Sequence, residues 1–124
     1  MGTTWHGFED CGCGVFARIL NWADALLTQA ATTSITYKVF DLDNNNAQTG
    51  TGTLTVADVV YDTAQTGGGW PYDDGYNFRY VLPASCFPTG GHKYIAELIF
   101  TPAGADPQPF AVVYEIIARK LLTS

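Results

Sequence analysis

From Ser34 onward the chain alternates between apolar and polar positions. Ile35, Tyr37 and Val39 are separated by Thr36 and Lys38, the two-residue period of a strand with one buried face. Phe78, Tyr80 and Leu82 repeat it around Arg79 and Val81 until Pro83 ends the run, because proline has no N–H for a sheet ladder. Tyr94, Ala96, Leu98 and Phe100 make a third row after Gly90-Gly91, and Phe110–Ile117 predicts the last strand. Thr51–Val56 and Val59–Thr63 read as two more. The junctions carry turn chemistry. Asp41-Leu42-Asp43-Asn44-Asn45-Asn46 is a turn cluster, residues 67–75 form a glycine-rich loop, and residues 102–109 are a connection.

Two segments do not follow this period. Residues 1–14 are glycine-rich and aperiodic, which predicts an extended N-terminal arm. In residues 15–31, Phe16, Ile19, Leu20, Ala23, Leu26, Leu27 and Ala30 fit helical spacing, while Val15–Leu20 also reads as a strand turning at Asn21–Asp24. Periodicity alone favours the helix. Six or seven strands with Gly, Pro or Asn at nearly every junction predict an all-β sandwich or small barrel over residues 15–124.

The late strands are apolar on both faces. If Tyr94, Ala96, Leu98 and Phe100 point inward, Ile95 and Ile99 point outward beside Glu97; likewise Val113 and Ile117 lie opposite the row of Phe110, Val112, Tyr114 and Ile116. Strands apolar on both faces are usually covered on both. The cover is either the arm, which carries Trp5 and Phe8, or another chain.

Composition narrows the function. At 124 residues the chain has the length of one domain with its own core. Its net charge is −6, and four of the six basic residues, Arg18, Lys38, Arg79 and Lys93, are scattered before Pro102, so no basic stripe offers itself to a phosphate backbone and nucleic acid is excluded as an expected partner. No run approaches the ~20 apolar residues that span a bilayer. Met1–His6 lacks a basic stretch followed by an apolar one, so the sequence shows no leader and predicts a chain made in a cytoplasm.

Candidate chemistry is sparse. Asp41, Asp43 and Asn45 begin like a calcium loop, but Asn46 and Gly52 stand where that loop needs Gly and Glu. His6, Cys11 and Cys13 are three zinc-ligand types with an unsuitable Cys-Gly-Cys spacing, and a fourth ligand would have to come from Cys86 or His92. We therefore expect no metal and no cofactor, and reduced thiols at all three cysteines. No nucleophile elbow surrounds Ser34, Ser85 or Ser124, and an enzyme is not expected. Trp70, Tyr72 and Tyr76 crowd one loop, where aromatic rings suit a sugar face or a protein partner. The alternative function is thus a carbohydrate-binding module.

Leu27-Thr28-Gln29-Ala30, Ile35–Asp41, Tyr76-Asn77-Phe78-Arg79, Leu82-Pro83-Ala84, Phe87-Pro88 and Phe100-Thr101-Pro102 together resemble small immunoglobulin-like domains encoded among the structural genes of tailed bacteriophages and prophages. The resemblance covers about residues 15–117 and carries no catalytic residue. It implies an immunoglobulin-like antiparallel β-sandwich with Val15–Leu20 as a strand. It also implies a virion protein, assembled in the host cytoplasm as a head decoration, cement, neck or tail component. Its partners would be other virion proteins or further copies of itself, with neither nucleic acid nor membrane involved. Trp5, Phe8, Ile95, Ile99, Val113 and Ile117 are the expected interface.

Overall fold

β-Branched and aromatic residues suit a pleated, half-buried surface, and their alternation lays this chain out as strands. The computed structural model describes residues 3–20, 25–67, 75–104 and 108–122. In chain order the elements are β1 (Thr3–Phe8), β2 (Cys13–Ala17), β3 (Thr32–Asp41), β4 (Ala47–Leu54), one helical turn α1 (Val56–Val59), β5 (Val60–Gln65), β6 (Tyr76–Leu82), β7 (His92–Pro102) and β8 (Phe110–Arg119). A 3-10 turn at Ala84–Cys86 separates β6 from β7.

The described strands form two sheets, one of five in the order β1-β8-β7-β3-β4 and one of three in the order β2-β6-β5. All neighbours run antiparallel except β1 and β8, which are parallel. The fold is an all-β sandwich. Between its layers lie Ile35, Val39, Tyr94, Leu98, Phe100 and Ile116 from the larger sheet and Val15, Phe78 and Leu82 from the smaller, all buried. Each such side chain contributes ~1.5–3 kcal/mol by leaving water. Phe78 meets Phe100 edge to face across the layers at 5.2 Å, a favoured ring geometry.

Within the expected arm, the described residues Thr3–Phe8 form a sheet strand. Thr3–Phe8 pairs in register with Tyr114–Arg119 as the edge strand of the larger sheet, and Cys13 opens β2. The period is hidden because the position after Trp5 on the same face is Gly7, so one large side chain marks that face. Trp5 stacks on Phe16 at 5.9 Å and meets Tyr114 edge-on at 5.8 Å. It belongs to the core margin of its own chain.

The stretch Val15–Ala31 resolves against the helix over its described residues. β2 ends at Ala17, Leu20 and Leu26 form an isolated bridge, and the Leu27 N–H donates to the Ile19 carbonyl at 2.9 Å. A crossing from one sheet to the other strands backbone groups that a helix would have satisfied. Buried Asn77 supplies partners instead. Its Oδ1 accepts the Ile19 N–H at 2.7 Å, and its Nδ2 donates to the carbonyls of Ile19 at 3.0 Å and Leu27 at 2.8 Å.

Two further details position the ends of the strands. Asn45 and Asn46 take φ of 54° and 58° in the β3–β4 turn, the left-handed region that asparagine tolerates. A bulge sets Thr49 between the pairs Val39–Gly50 and Phe40–Gln48, and its hydroxyl donates to the Cys86 carbonyl at 2.8 Å.

Candidate functional site

The outward face of the larger sheet follows from its register. Ile95 lies between Phe40 and Glu115, Glu97 between Lys38 and Val113, Ile99 between Thr36 and Ala111, and Lys93 beside Ile117. Ile117 in turn pairs with His6, and Phe8 with Arg119. Five of the six expected interface residues, Phe8, Ile95, Ile99, Val113 and Ile117, therefore share one face. Phe8 is 48% exposed and Ile99 40% exposed, while Ile95, Val113 and Ile117 are half-buried among their neighbours. Lys38, Glu97, Glu115 and Lys93 interrupt the apolar surface with both signs of charge. Trp5 does not join it, because its ring turns to the opposite side and packs on Phe16 and Tyr114. The first strand forms the edge of this face through Phe8 and does not cover it.

Of the expected aromatic loop residues, only Tyr76 is among the described residues. Trp70 and Tyr72 lie outside the described residues. Tyr76 is buried at the start of β6, edge to face with Phe16 at 4.9 Å and with Tyr61 at 5.9 Å. It is a packing residue.

The cysteines are free thiols. Cys13 and Cys86 are buried, and burial pushes both thiols above their ordinary value, which makes them poor nucleophiles. Among the described residues the metal-ligand types that converge are not His6, Cys11 and Cys13. They are Asp41, Asp43 and His92, with one ligand atom from each inside 4.8 Å of the others.

Asp41 ends β3 with its carboxylate buried, and His92 begins β7 beside it. His92 Nδ1 lies 3.0 Å from Asp41 Oδ1 and 2.8 Å from Oδ2. The Asp43 N–H donates to Asp41 Oδ1 at 3.0 Å, and the Lys93 N–H donates to Asp43 Oδ2 at 2.8 Å. The Leu42 N–H to Lys93 carbonyl bond, 2.9 Å, ties the two strand ends together. Sequence reasoning singled out the two aspartates but not this partnership. His92 stands 51 residues from Asp41, and the one signal was that both fall at strand ends next to turns.

Nearby, the Tyr94 hydroxyl donates to the Thr89 carbonyl and accepts the Thr89 N–H, each at 3.0 Å. This fixes the corner where the chain enters β7. At the same end, buried Glu9 accepts the N–H groups of Leu121 at 2.9 Å and Gly90 at 3.1 Å, so the turn after β1 holds the end of β8. In comparisons with known proteins, no family model, no curated protein and no solved structure matches the chain.

Proposed function

We propose that the chain is an immunoglobulin-like sandwich serving as a non-enzymatic structural subunit that contacts other protein through the outer face of its larger sheet. The strand order supports the fold reading. Lettered in chain order, β2-β6-β5 corresponds to B-E-D, and β8-β7-β3-β4 to G-F-C-C′, with β1 as a first strand beside G. The Tyr94 hydroxyl bonded back to Thr89 has the form of a tyrosine corner.

One observation carries the functional reading: Phe8, Ile95, Ile99, Val113 and Ile117 come together on a single outward face, where a solvated antiparallel sheet would place polar residues. The proposed setting, a tailed-phage particle with virion proteins or further copies as partners, rests on the resemblance of the segments from Leu27 to Pro102. The burial of Tyr76 weighs against a carbohydrate site built with it.

Sedimentation of the parent and of an I95T/I99T variant tests the reading. Threonine keeps β-branching and suits strands, and a buried isoleucine is worth ~1.5–3 kcal/mol. The parent is expected to self-associate, and the variant to associate about tenfold or more weakly with its circular dichroism unchanged. A parent monomeric at every concentration reached, or a variant assembling like the parent, overturns it.

A further inference from the structure

We propose that Asp41, Asp43 and His92 form a binding site for a divalent transition-metal ion of the zinc type, clamping the β3–β4 turn to the start of β7. The inference is independent of the assembly reading, because it rests on the end of the sandwich and not on its outer face.

The donor set comes first. Two carboxylates and one imidazole differ from the all-oxygen shell that calcium takes, and imidazole suits zinc and its neighbours in the transition series. The fold brings these donors together from both sides of a strand junction, with the three ligand atoms inside 4.8 Å of one another. Ligands ~2.0–2.2 Å from one tetrahedral ion stand ~3.3–3.6 Å apart. The His92 Nδ1 to Asp41 separations of 2.8 and 3.0 Å therefore have to open by about 0.3–0.8 Å, with the ion replacing the ring proton between them, and the Asp43 carboxylate, inside 4.8 Å of both, has to swing in to meet it.

The second observation is the state of Asp41. Its side chain is 2% exposed, and buried carboxylates are normally paired with a cation or ligate a metal. Its carboxylate meets one backbone N–H and one imidazole, and no lysine or arginine among the described residues. An ion at this place would bind the carboxylate oxygens that His92 Nδ1 now contacts.

The ligands are also held from behind. The Asp43 N–H orients Asp41, and the Lys93 N–H orients Asp43, the outer hydrogen bonds that fix ligating carboxylates. Asp43 is exposed and His92 half-buried, so an ion reaches the site from solvent. Three protein donors leave a fourth position for water or for a group from a neighbouring molecule.

Calorimetric titration of the purified chain with zinc chloride tests the site, with calcium chloride as the comparison. Three variants accompany the parent: H92Q, D43N and C11S/C13A, the last removing the cysteines nearest His6 in sequence. D43N keeps an oxygen that accepts the Lys93 N–H, so the turn is retained, and circular dichroism checks each fold. One zinc per chain is expected for the parent and for C11S/C13A, with affinity about tenfold or more lower in H92Q and D43N and no calcium binding in the same range. A parent that binds no zinc, a H92Q or D43N variant that binds like the parent, or binding lost in C11S/C13A overturns the proposal.

Discussion

Asn77 grips Ile19 at both ends of its backbone, accepting its N–H at 2.7 Å and donating to its carbonyl at 3.0 Å. With Leu27 as a third partner at 2.8 Å, one buried side chain stands in for a piece of missing strand. Asn77→Ala takes this partner from the Ile19 N–H and the Leu27 carbonyl, while the Ile19 carbonyl keeps the Leu27 N–H, and each orphaned buried group costs ~1–3 kcal/mol. The variant is expected to lose ~2 kcal/mol or more in a urea titration. Asn77→Asp keeps the acceptor and loses both donated bonds, so it should also be destabilised. A loss under ~1 kcal/mol in Asn77→Ala would show that the crossing holds without this bridge.

Alkaline pH should unfold the protein through its tyrosines. Burial first, and then the neighbouring Tyr80 and Cys86, push the Tyr37 phenol from 10.0 to about 12, and burial pushes Tyr114 up as well. A raised pKa means the folded chain keeps a proton that the unfolded chain has lost. That contribution is whole below the unfolded value and disappears as pH rises through the folded one. Stability is therefore expected to fall between pH about 10 and 12, and Tyr37→Phe should flatten the decline. Chemical denaturation at stepped pH measures it, and an equally steep decline in Tyr37→Phe would remove Tyr37 as a cause.

Two glycines of β4 are fixed by what lies opposite them. A Cβ on Gly50 would stand 2.4 Å from Cys86 Sγ, and one on Gly52 2.7 Å from the Tyr37 ring. Overpacking of this kind costs ~1–3 kcal/mol, so Gly50→Ala and Gly52→Ala should each lower the melting temperature. Gly14→Ala meets nothing within 4 Å and should leave it near the parent value. Equal melting of all three would contradict the packing.

Thiol labelling should discriminate among the cysteines. Cys13 and Cys86 are buried with their thiols pushed up, while Cys11 is half-buried. Iodoacetamide at mildly alkaline pH is expected to modify Cys11 first and the other two only on unfolding. Mass spectrometry of the peptides reads the order, and early modification of Cys86 would contradict its burial.

The legible part of the fold is the part with unbroken alternation. β3, β6, β7 and β8 follow from rows such as Ile35, Tyr37, Val39 and Tyr94, Ala96, Leu98, Phe100, whose inward members the structure buries. β1 was not legible, because Gly7 erases its period after Trp5. The crossing after β2 was ambiguous for the opposite reason: Ile19 and Leu27 are apolar at helical spacing, yet they are buried by a loop. Asn77, between Tyr76 and Phe78, sits where the two-residue period predicts a solvated residue, and it is 1% exposed. The shared outer face of Ile95, Ile99, Val113 and Ile117 was readable from the same period. The meeting of Asp41 with His92 was not, since pairing register, and not local spacing, creates it.

The parallel pairing of β1 with β8 has a consequence for how the protein is made. Thr3 aligns with Tyr114 and Phe8 with Arg119, so the strand that leaves the ribosome early has no sheet to join until the last strand exists. Translation proceeds at ~5–20 residues per second, which leaves β1 and its Trp5 ring waiting for roughly 5–20 s. During that interval β8 is still missing, and the ladder into which Trp5 fits is unbuilt. The sandwich therefore closes only once β8 has been made, by capture of β1 along it.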